Sequence, residues 1–283
     1  MTTQNNLLQG TLLAVDTSTS HMSVALARSG AVAGEINSNT EKNHSIHLLP
    51  NIKQLLEFAA LHPRELNAFA VGVGPGSYTG VRIGVTVAKT FAWTHGIALI
   101  PVSSLEAMAL GGLEAYYLQQ APHDSGEGSS STALSLVQQK PGTAWVIPMI
   151  EARRGQAFTA LYQVTDHRWS CVVPDGIRLM ASWTEQLLER AQSEEDVRPE
   201  RIVFVGETKL HKTVLQSFFD RWHGVSADIP HELRASHLAE LGLQLWQEGR
   251  VAEPHSLVPN YTQLTEAEAN LLAQQKASPA SKE

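Results

Sequence analysis

Cysteine is nearly absent from this chain: Cys171 is the only one in 283 residues. An internal disulfide is therefore excluded, as is any zinc site built from several thiolates, and such usage fits a reducing compartment better than an export route. Basic residues are also scarce, with 21 Lys and Arg against 28 Asp and Glu, a formal net charge of −7. A chain so charged does not grip a polyanion by itself, so any role in RNA chemistry has to lean on a partner. Long apolar runs are missing: no stretch reaches eighteen consecutive apolar residues, and the opening MTTQNNLLQGTLL has no basic flank before its short apolar run. The chain reads as soluble and cytoplasmic, with no membrane contact. What remains is ordinary globular material, 43% hydrophobic and 17% charged, enough for one large or two medium domains.

The hydrophobic patterning gives the order of elements. Thr11 to Val15, Met22 to Ala27 and Ala31 to Ile36 read as three short strands separated by turn residues, an antiparallel meander. In NHSIHLLPNIKQLLEFAAL, Leu48, Leu49, Ile52, Leu55, Leu56 and Ala59 fall on one helical face, with Pro50 inside the pattern as a source of irregularity. Residues 66–74 form an apolar strand that feeds a glycine loop. YTGVRIGVTVAKTFAWTHG is then a second helix that stops at His95-Gly96. IALIPV supplies a strand and SSLEAMAL a short helix, capped by Ser103 or Ser104 with Glu106 in its first turn. This order predicts a mixed sheet with helices packed on it. Residues 119–143 are rich in Ser, Gly, Gln and Pro and read as a mobile solvated insertion. Beyond them come two strands around a turn at Arg153 to Gly155, the stretch CVVPDGIRLMA, a helix from Trp183 to Gln192, the strand RIVFVG and a helix near 207–220, a partial echo of the first half. A last amphipathic helix places Leu238, Leu241, Leu245 and Trp246 inward, and a tail from 273 is expected to be disordered.

The glycine loop, VGVGPGSYTGVRIG at 71–84, raises the question of chemistry. A phosphate loop needs Gly-Lys-Ser/Thr, but Val81, Arg82 and Ile83 follow Gly80. Ser77 and Thr79 occupy the positions where a dinucleotide fingerprint needs its last glycine, and Pro75 and Thr79 flank Ser77 where a nucleophile elbow needs glycines. What the segment does offer is a row of small residues, Gly80, Gly84, Ala88 and Ala92, at intervals of four along the second helix. Such a groove can seat the helix on its own sheet or admit a helix of another molecule. Gly74, Pro75 and Gly76 turn the chain, and the Ser77 or Thr79 hydroxyl caps the helix.

Three other places carry polar residues in suggestive patterns. Asp16 ends the first strand and is followed by Thr17, Ser18 and Thr19, a turn of the kind that approaches metal and phosphates in actin-like ATPases and sugar kinases. The second acidic turn such enzymes need is represented only by Glu151-Ala152-Arg153-Arg154-Gly155, and their Gly-Gly pair by a lone Gly206 before Glu207, so the nucleotide site reads as incomplete. His44 and His47 can share a helical face, but a third metal ligand is not evident. Arg153 and Arg154 could contact an anion or a partner's carboxylate.

Taken in order, LLAVDTSTSHMSVAL, HSIHLLP, VGVGPGSYTGVRIGVTVAK, PVSSLEAMA and EARRGQAF resemble the TsaB (YeaZ) family, densely over 11–110 and sparsely afterward. Members of that family take part in making the threonylcarbamoyl group on adenosine 37 of tRNA. The resemblance implies a two-lobed α/β actin-like fold (ribonuclease-H-like, ASKHA), with mixed sheets flanked by helices, that has lost its own catalytic site and carries no metal or cofactor. ATP and metal are expected on partner subunits, the catalytic TsaD and the ATPase TsaE. It further implies a first lobe at 1–110 that bears the partner surface, the insertion at 111–143 and a degenerate second lobe at 144–272 before the 273–283 tail. Pairing with TsaD, or between two copies of the chain, would use Leu48, Leu49, Ile52 and Leu56 on one helix and Gly80, Gly84 and Ala88 on the other. A bulky residue at Gly84 is then expected to block pairing and leave the monomer folded. Transfer RNA would be reached only through the complex. The chain departs from the family in having Glu151 for the usual Asp, Gln263 for the Arg that ends the usual P-x-Y-L-R, and a longer insertion. Two other classes remain open, an ATP-dependent phosphotransferase built on Asp16, and a metallopeptidase suggested only by relatives once described as glycoproteases; no H-E-x-x-H supports the latter.

Overall fold

The computed structural model describes residues 10–39, 43–120, 132–193 and 197–262. Thr11–Asp16 (β1) is buried along its whole length, because it lies mid-sheet with helices on both faces, which is why TLLAVD shows no polar alternation. His21–Arg28 (β2) and Ala31–Asn39 (β3) follow it as antiparallel neighbours. His44–Phe58 (α1) then crosses one face, burying Leu48, Ile52, Leu55 and Leu56, while Pro50 sits on its solvent side. Ala68–Gly72 (β4) pairs in parallel with β1. Tyr78–His95 (α2) starts at Ser77, whose hydroxyl accepts the Gly80 N–H at 3.2 Å, and stops at Gly96, which has φ +64°. Ala98–Val102 (β5) completes a sheet of order β3-β2-β1-β4-β5.

Ser104–Gln120 (α3) leads away from this sheet and runs twice the length expected from its sequence. Its apolar residues point all round, with Leu105, Met108, Leu110, Leu113, Tyr116 and Tyr117 buried, so the periodicity that marks an amphipathic helix is missing. Ala133–Gln139 (α4) lies inside the segment read above as solvated. Thr132 caps it, Val137 is fully buried, and Glu240 accepts the Ala133 and Leu134 N–H groups at 3.1 and 2.8 Å. The expectation of a mobile insertion over 111–143 is therefore corrected for 111–120, which continues α3, and for 132–139; its middle part, 121–131, lies outside the described residues, as do Gln263 and the 273–283 tail.

The second sheet repeats the first. Ala144–Glu151 (β6), Gln156–Thr165 (β7) and Arg168–Leu179 (β8) form an antiparallel meander; Met180–Gln192 (α5), Arg201–Gly206 (β9), Lys212–Arg221 (α6) and Val225–Pro230 (β10) complete it. Its order, β10-β9-β6-β7-β8, has β9 and β10 parallel to β6, the same connectivity as β4 and β5 beside β1. The final helix, Ala235–Gln247 (α7), does not stay with this second half. It returns to the first sheet, where Leu238, Ala239 and Leu241 join Leu12, Ala14 and Ala70 in one cluster. The layers are thus α1 and α2, the first sheet, a shared layer of α3, α4 and α7, the second sheet, then α5 and α6. Assigning all of 144–272 to the second lobe is corrected by α7, whose apolar face belongs to the first.

Candidate functional site

The β1–β2 turn and the glycine loop lock together. Asp16 Oδ1 accepts the Ser18 N–H at 2.7 Å and the Ser18 hydroxyl at 2.6 Å, and Oδ2 accepts the Ser104 hydroxyl at 2.6 Å. Both carboxylate oxygens are spent within the chain, and the side chain is fully buried; that burial raises its pKa against the pull of the three hydroxyl and amide donors. Two of the loop's own donors are occupied as well: Gly74 N–H bonds the Ser104 hydroxyl at 3.1 Å, and Ser77 N–H bonds the Ser18 carbonyl at 2.7 Å. A phosphate approaching these amides would have to displace bonds already made.

The row of small residues on α2 faces the same turn. Thr17 Oγ1 donates to the Gly80 carbonyl at 2.7 Å, a Cβ at Gly80 would overlap the Thr17 carbonyl, and one at Gly84 would lie 2.6 Å from Thr17 Oγ1. Ala88 is fully buried. The groove therefore seats α2 on its own β1–β2 turn, and Gly80, Gly84 and Ala88 are not a surface a partner can reach. Leu48, Ile52 and Leu56 are likewise core residues, at most 3% exposed. Of the seven residues assigned to pairing, Leu49 alone is exposed, at 52%. The correction has a plain cause: period-four small residues and an apolar stripe mark the face that packs, and here that face packs inward. Gly84→Leu is then expected to destabilise the monomer itself, since even a Cβ there would crowd Thr17.

What the helix pair does present to solvent is different. Ile46, Leu49, Pro50 and Phe58 are exposed on α1, and Tyr78, Arg82 and Trp93 on α2. Arg82 lies over the Tyr78 ring at 4.0 Å and bonds the Tyr261 hydroxyl at 2.8 Å. Tyr261 belongs to a C-terminal strap running back along α2, with the Leu257 carbonyl accepting from Lys89 at 2.8 Å and Asn260 N–H donating to Val73 O at 2.7 Å. Sequence reading missed the strap because its contacts span more than 160 residues.

The second half repeats the first turn with different chemistry. Glu151 Oε1 accepts the Arg153 N–H at 2.7 Å, as Asp16 does with Ser18, and its longer side chain carries Oε2 to His211 Nε2 at 2.9 Å. That reach is the structural content of Glu in place of Asp. Arg153 and Arg154 form the exposed tip, at φ +67° and +54°, and among the described residues their guanidiniums meet no acceptor. His44 is buried, with Nε2 on the Thr19 carbonyl at 2.9 Å, and no group of three His, Cys, Asp or Glu among the described residues could hold a metal. Between the two turns lies a cavity of about 440 Å³, bordered by Thr19, His21, Glu151, Gly206, Glu207 and His231. Sequence reading named Gly206 and Glu207 only as a missing glycine pair and gave His21 and His231 no role.

The TsaB protein of Bacillus subtilis, a tRNA threonylcarbamoyladenosine biosynthesis protein, is 36% identical over 267 residues, covering 94% of this chain and all of that one. The chain belongs to the TsaB family. The TsaB protein of Escherichia coli is 32% identical over 155 residues, 54% of each chain. A family model described as TsaD, tRNA N6-adenosine threonylcarbamoyltransferase, matches residues 26–122. Among solved structures, YeaZ from Pseudomonas aeruginosa superposes with a TM-score of 0.64 at 22% identity, covering 89% of this TsaB-family chain and 99% of that one, a likeness of fold. No helix among the described residues is long and apolar enough to cross a membrane.

Proposed function

We propose that this TsaB-family protein is a non-catalytic subunit needed for threonylcarbamoyl transfer to adenosine 37 of tRNA, acting by pairing with a catalytic TsaD subunit through the outer faces of α1 and α2. The observation that carries the reading is the sealed turn: Asp16, at the strand end that the actin-like resemblance brings near a metal, has both oxygens bonded inside the chain. A phosphotransferase built on Asp16 would first have to break that network, which disfavours the enzyme alternative. ATP, metal and the tRNA contacts then belong to TsaD and the ATPase TsaE, and the same apolar face would serve a homodimer when the chain is alone. The pairing surface is reassigned to Ile46, Leu49 and Pro50 of α1 with the exposed side of α2, because apolar and aromatic side chains left in water are what an interface core uses.

Reconstitution tests the reading. The full chain is added to TsaD, TsaE, tRNA and the threonylcarbamoyl donor, and modified nucleoside is measured with and without it. Product formed equally well without the chain rejects the subunit role. Leu49→Glu places a charge in the proposed interface and should abolish coelution with TsaD while leaving the melting temperature unchanged, since Leu49 is half exposed. Coelution surviving that change would move the interface elsewhere.

A further inference from the structure

The cavity between the two turns has walls that a pairing subunit does not need. Glu207 supplies the main one. Its Oε2 accepts the Glu151 N–H at 2.7 Å, and its Oε1 has no donor among the described residues. The neighbouring acids are already matched: Glu151 with the Arg153 N–H and His211, and Glu232 with His21 at 3.1 Å. Glu207 is thus a half-buried carboxylate with one neutral hydrogen bond, set beside another carboxylate. Burial, with the Glu151 charge, raises its pKa against the opposing pull of the Glu151 N–H and of His21.

His231 borders the cavity without offering it an acceptor. Its N–H bonds the Gly206 carbonyl at 3.3 Å, which seats the residue beside the start of the Glu207 segment, and its Nε2 is buried against Gly111. Burial, with His237 and Arg234 nearby, lowers its pKa to about 4, so at neutral pH the ring is uncharged and contributes no positive charge to the cavity. Met108, Leu210, Pro230 and Leu233 supply the apolar part of the wall, and Lys209 is exposed at its edge. The volume lies in the range of small-molecule sites.

We propose that this cavity binds a small molecule carrying a primary ammonium on a short aliphatic body, with the ammonium held by Glu207 and the body against the apolar wall. An ammonium brings three donors and the missing charge, and a charge-assisted bond in a half-buried place is worth more than one in water. A polyphosphate would meet Glu151 and Glu207 head on. A divalent metal would need three ligands drawn together, and no such group is found among the described residues. The ammonium can come from a diamine or from a free α-amino acid, and Lys209 separates the two, since only the amino acid offers it a carboxylate.

Isothermal titration of the full chain at neutral pH with 1,4-diaminobutane and with L-2-aminobutyrate tests the site, with butyrate and ATP as controls. Saturable binding of one amine is expected, weakened about tenfold or more in Glu207→Gln, the loss of one charge-assisted bond. The amide oxygen of Glu207→Gln still accepts the Glu151 N–H, so melting should match the wild type. Diamine binding indifferent to Lys209→Ala identifies the diamine class; aminobutyrate binding lost in Lys209→Ala identifies the amino acid class. No saturable binding of either amine overturns the proposal, as does equal affinity in Glu207→Gln, or butyrate or ATP binding as tightly as the amines. Should Glu207→Gln fail to fold, hydrogen exchange on the wild-type chain reads the same point. Slowing at 204–211 and 229–233 on adding the bound amine supports the site, and unchanged exchange there rejects it. Coelution of Glu207→Gln with TsaD separates this result from the pairing reading.

Discussion

Gly84→Ala decides which way the small-residue row faces. At an open helix position that change gains about 1 kcal/mol, because alanine has less backbone freedom to lose. At Gly84 the new methyl would lie 2.6 Å from Thr17 Oγ1, well inside contact distance, while Thr17 is itself fully buried and donates to the Gly80 carbonyl at 2.7 Å. Overpacking of this kind costs about 1–3 kcal/mol, and a strained or broken buried hydrogen bond about 1–3 kcal/mol more. Against the propensity gain, the net loss should be about 2 kcal/mol, or about 4 °C in melting temperature for a chain of this size. The decisive arm is a double mutant. Thr17→Ala removes the obstructing hydroxyl, and the next nearest atoms, Val71 Cγ2 at 3.7 Å and Thr17 Cβ at 3.8 Å, are ordinary contacts. In that background Gly84→Ala should turn from destabilising to stabilising by up to about 1 kcal/mol, a reversal of sign that chemical denaturation followed by circular dichroism can resolve. A Gly84→Ala single mutant as stable as the wild type, or more so, would refute the inward-facing row and restore a partner-facing groove.

Ser104→Ala should cost about 2–4 kcal/mol in thermal or denaturant unfolding, since it unpairs both Asp16 Oδ2 and the Gly74 N–H in a dry site. The folded pKa of Asp16 is already raised, so the ionised form is the strained one; the deficit should shrink as pH falls and Asp16 protonates, and a deficit independent of pH would count against the network. Glu35 behaves in the opposite sense. Burial pushes its carboxyl up, but the Ser236 N–H at 2.8 Å, Asn37 and Arg234 outweigh that and leave the folded pKa below the ordinary 4.5. Its stabilisation is present above that ordinary value and fades as pH falls through the folded one, so Glu35→Gln should cost about 1–2 kcal/mol at pH 7 and progressively less as the pH is lowered below 4.5.

Much of the first half was legible because its signals are local. Ser77 and Gly96 bracket α2 by capping chemistry, and the β1, β2 and β4 runs announce themselves by apolar residues between turns. The direction of the small-residue row was not legible, because a neighbouring turn and a foreign helix ask for the same Gly80, Gly84 and Ala88 spacing. Helix α4 was hidden because the group that completes its N-terminus, Glu240, lies more than a hundred residues away. The same holds for the cavity: Glu151, Glu207, His21 and His231 are unremarkable until β6, β9 and the first turn bring them together. The missed strand β10, VSADIP, is half exposed and mixed in polarity, and only its parallel pairing with β9 defines it.

The return of α7 to the first sheet bears on how the chain is made. Ala235 N–H reaches the Ser23 hydroxyl at 2.7 Å across 212 residues, and Leu238 and Leu241 cover Leu12, Ala14 and Ala70. A ribosome therefore delivers all five strands of the first sheet long before the helix that shields one of its faces. During that interval the apolar surface of β1, β4 and β5 stays open to water or to a chaperone, and contacts of such long sequence separation form slowly. Chains that stop before residue 235 should accumulate as aggregates rather than as a separate first lobe, because the half synthesised first is the last to be closed.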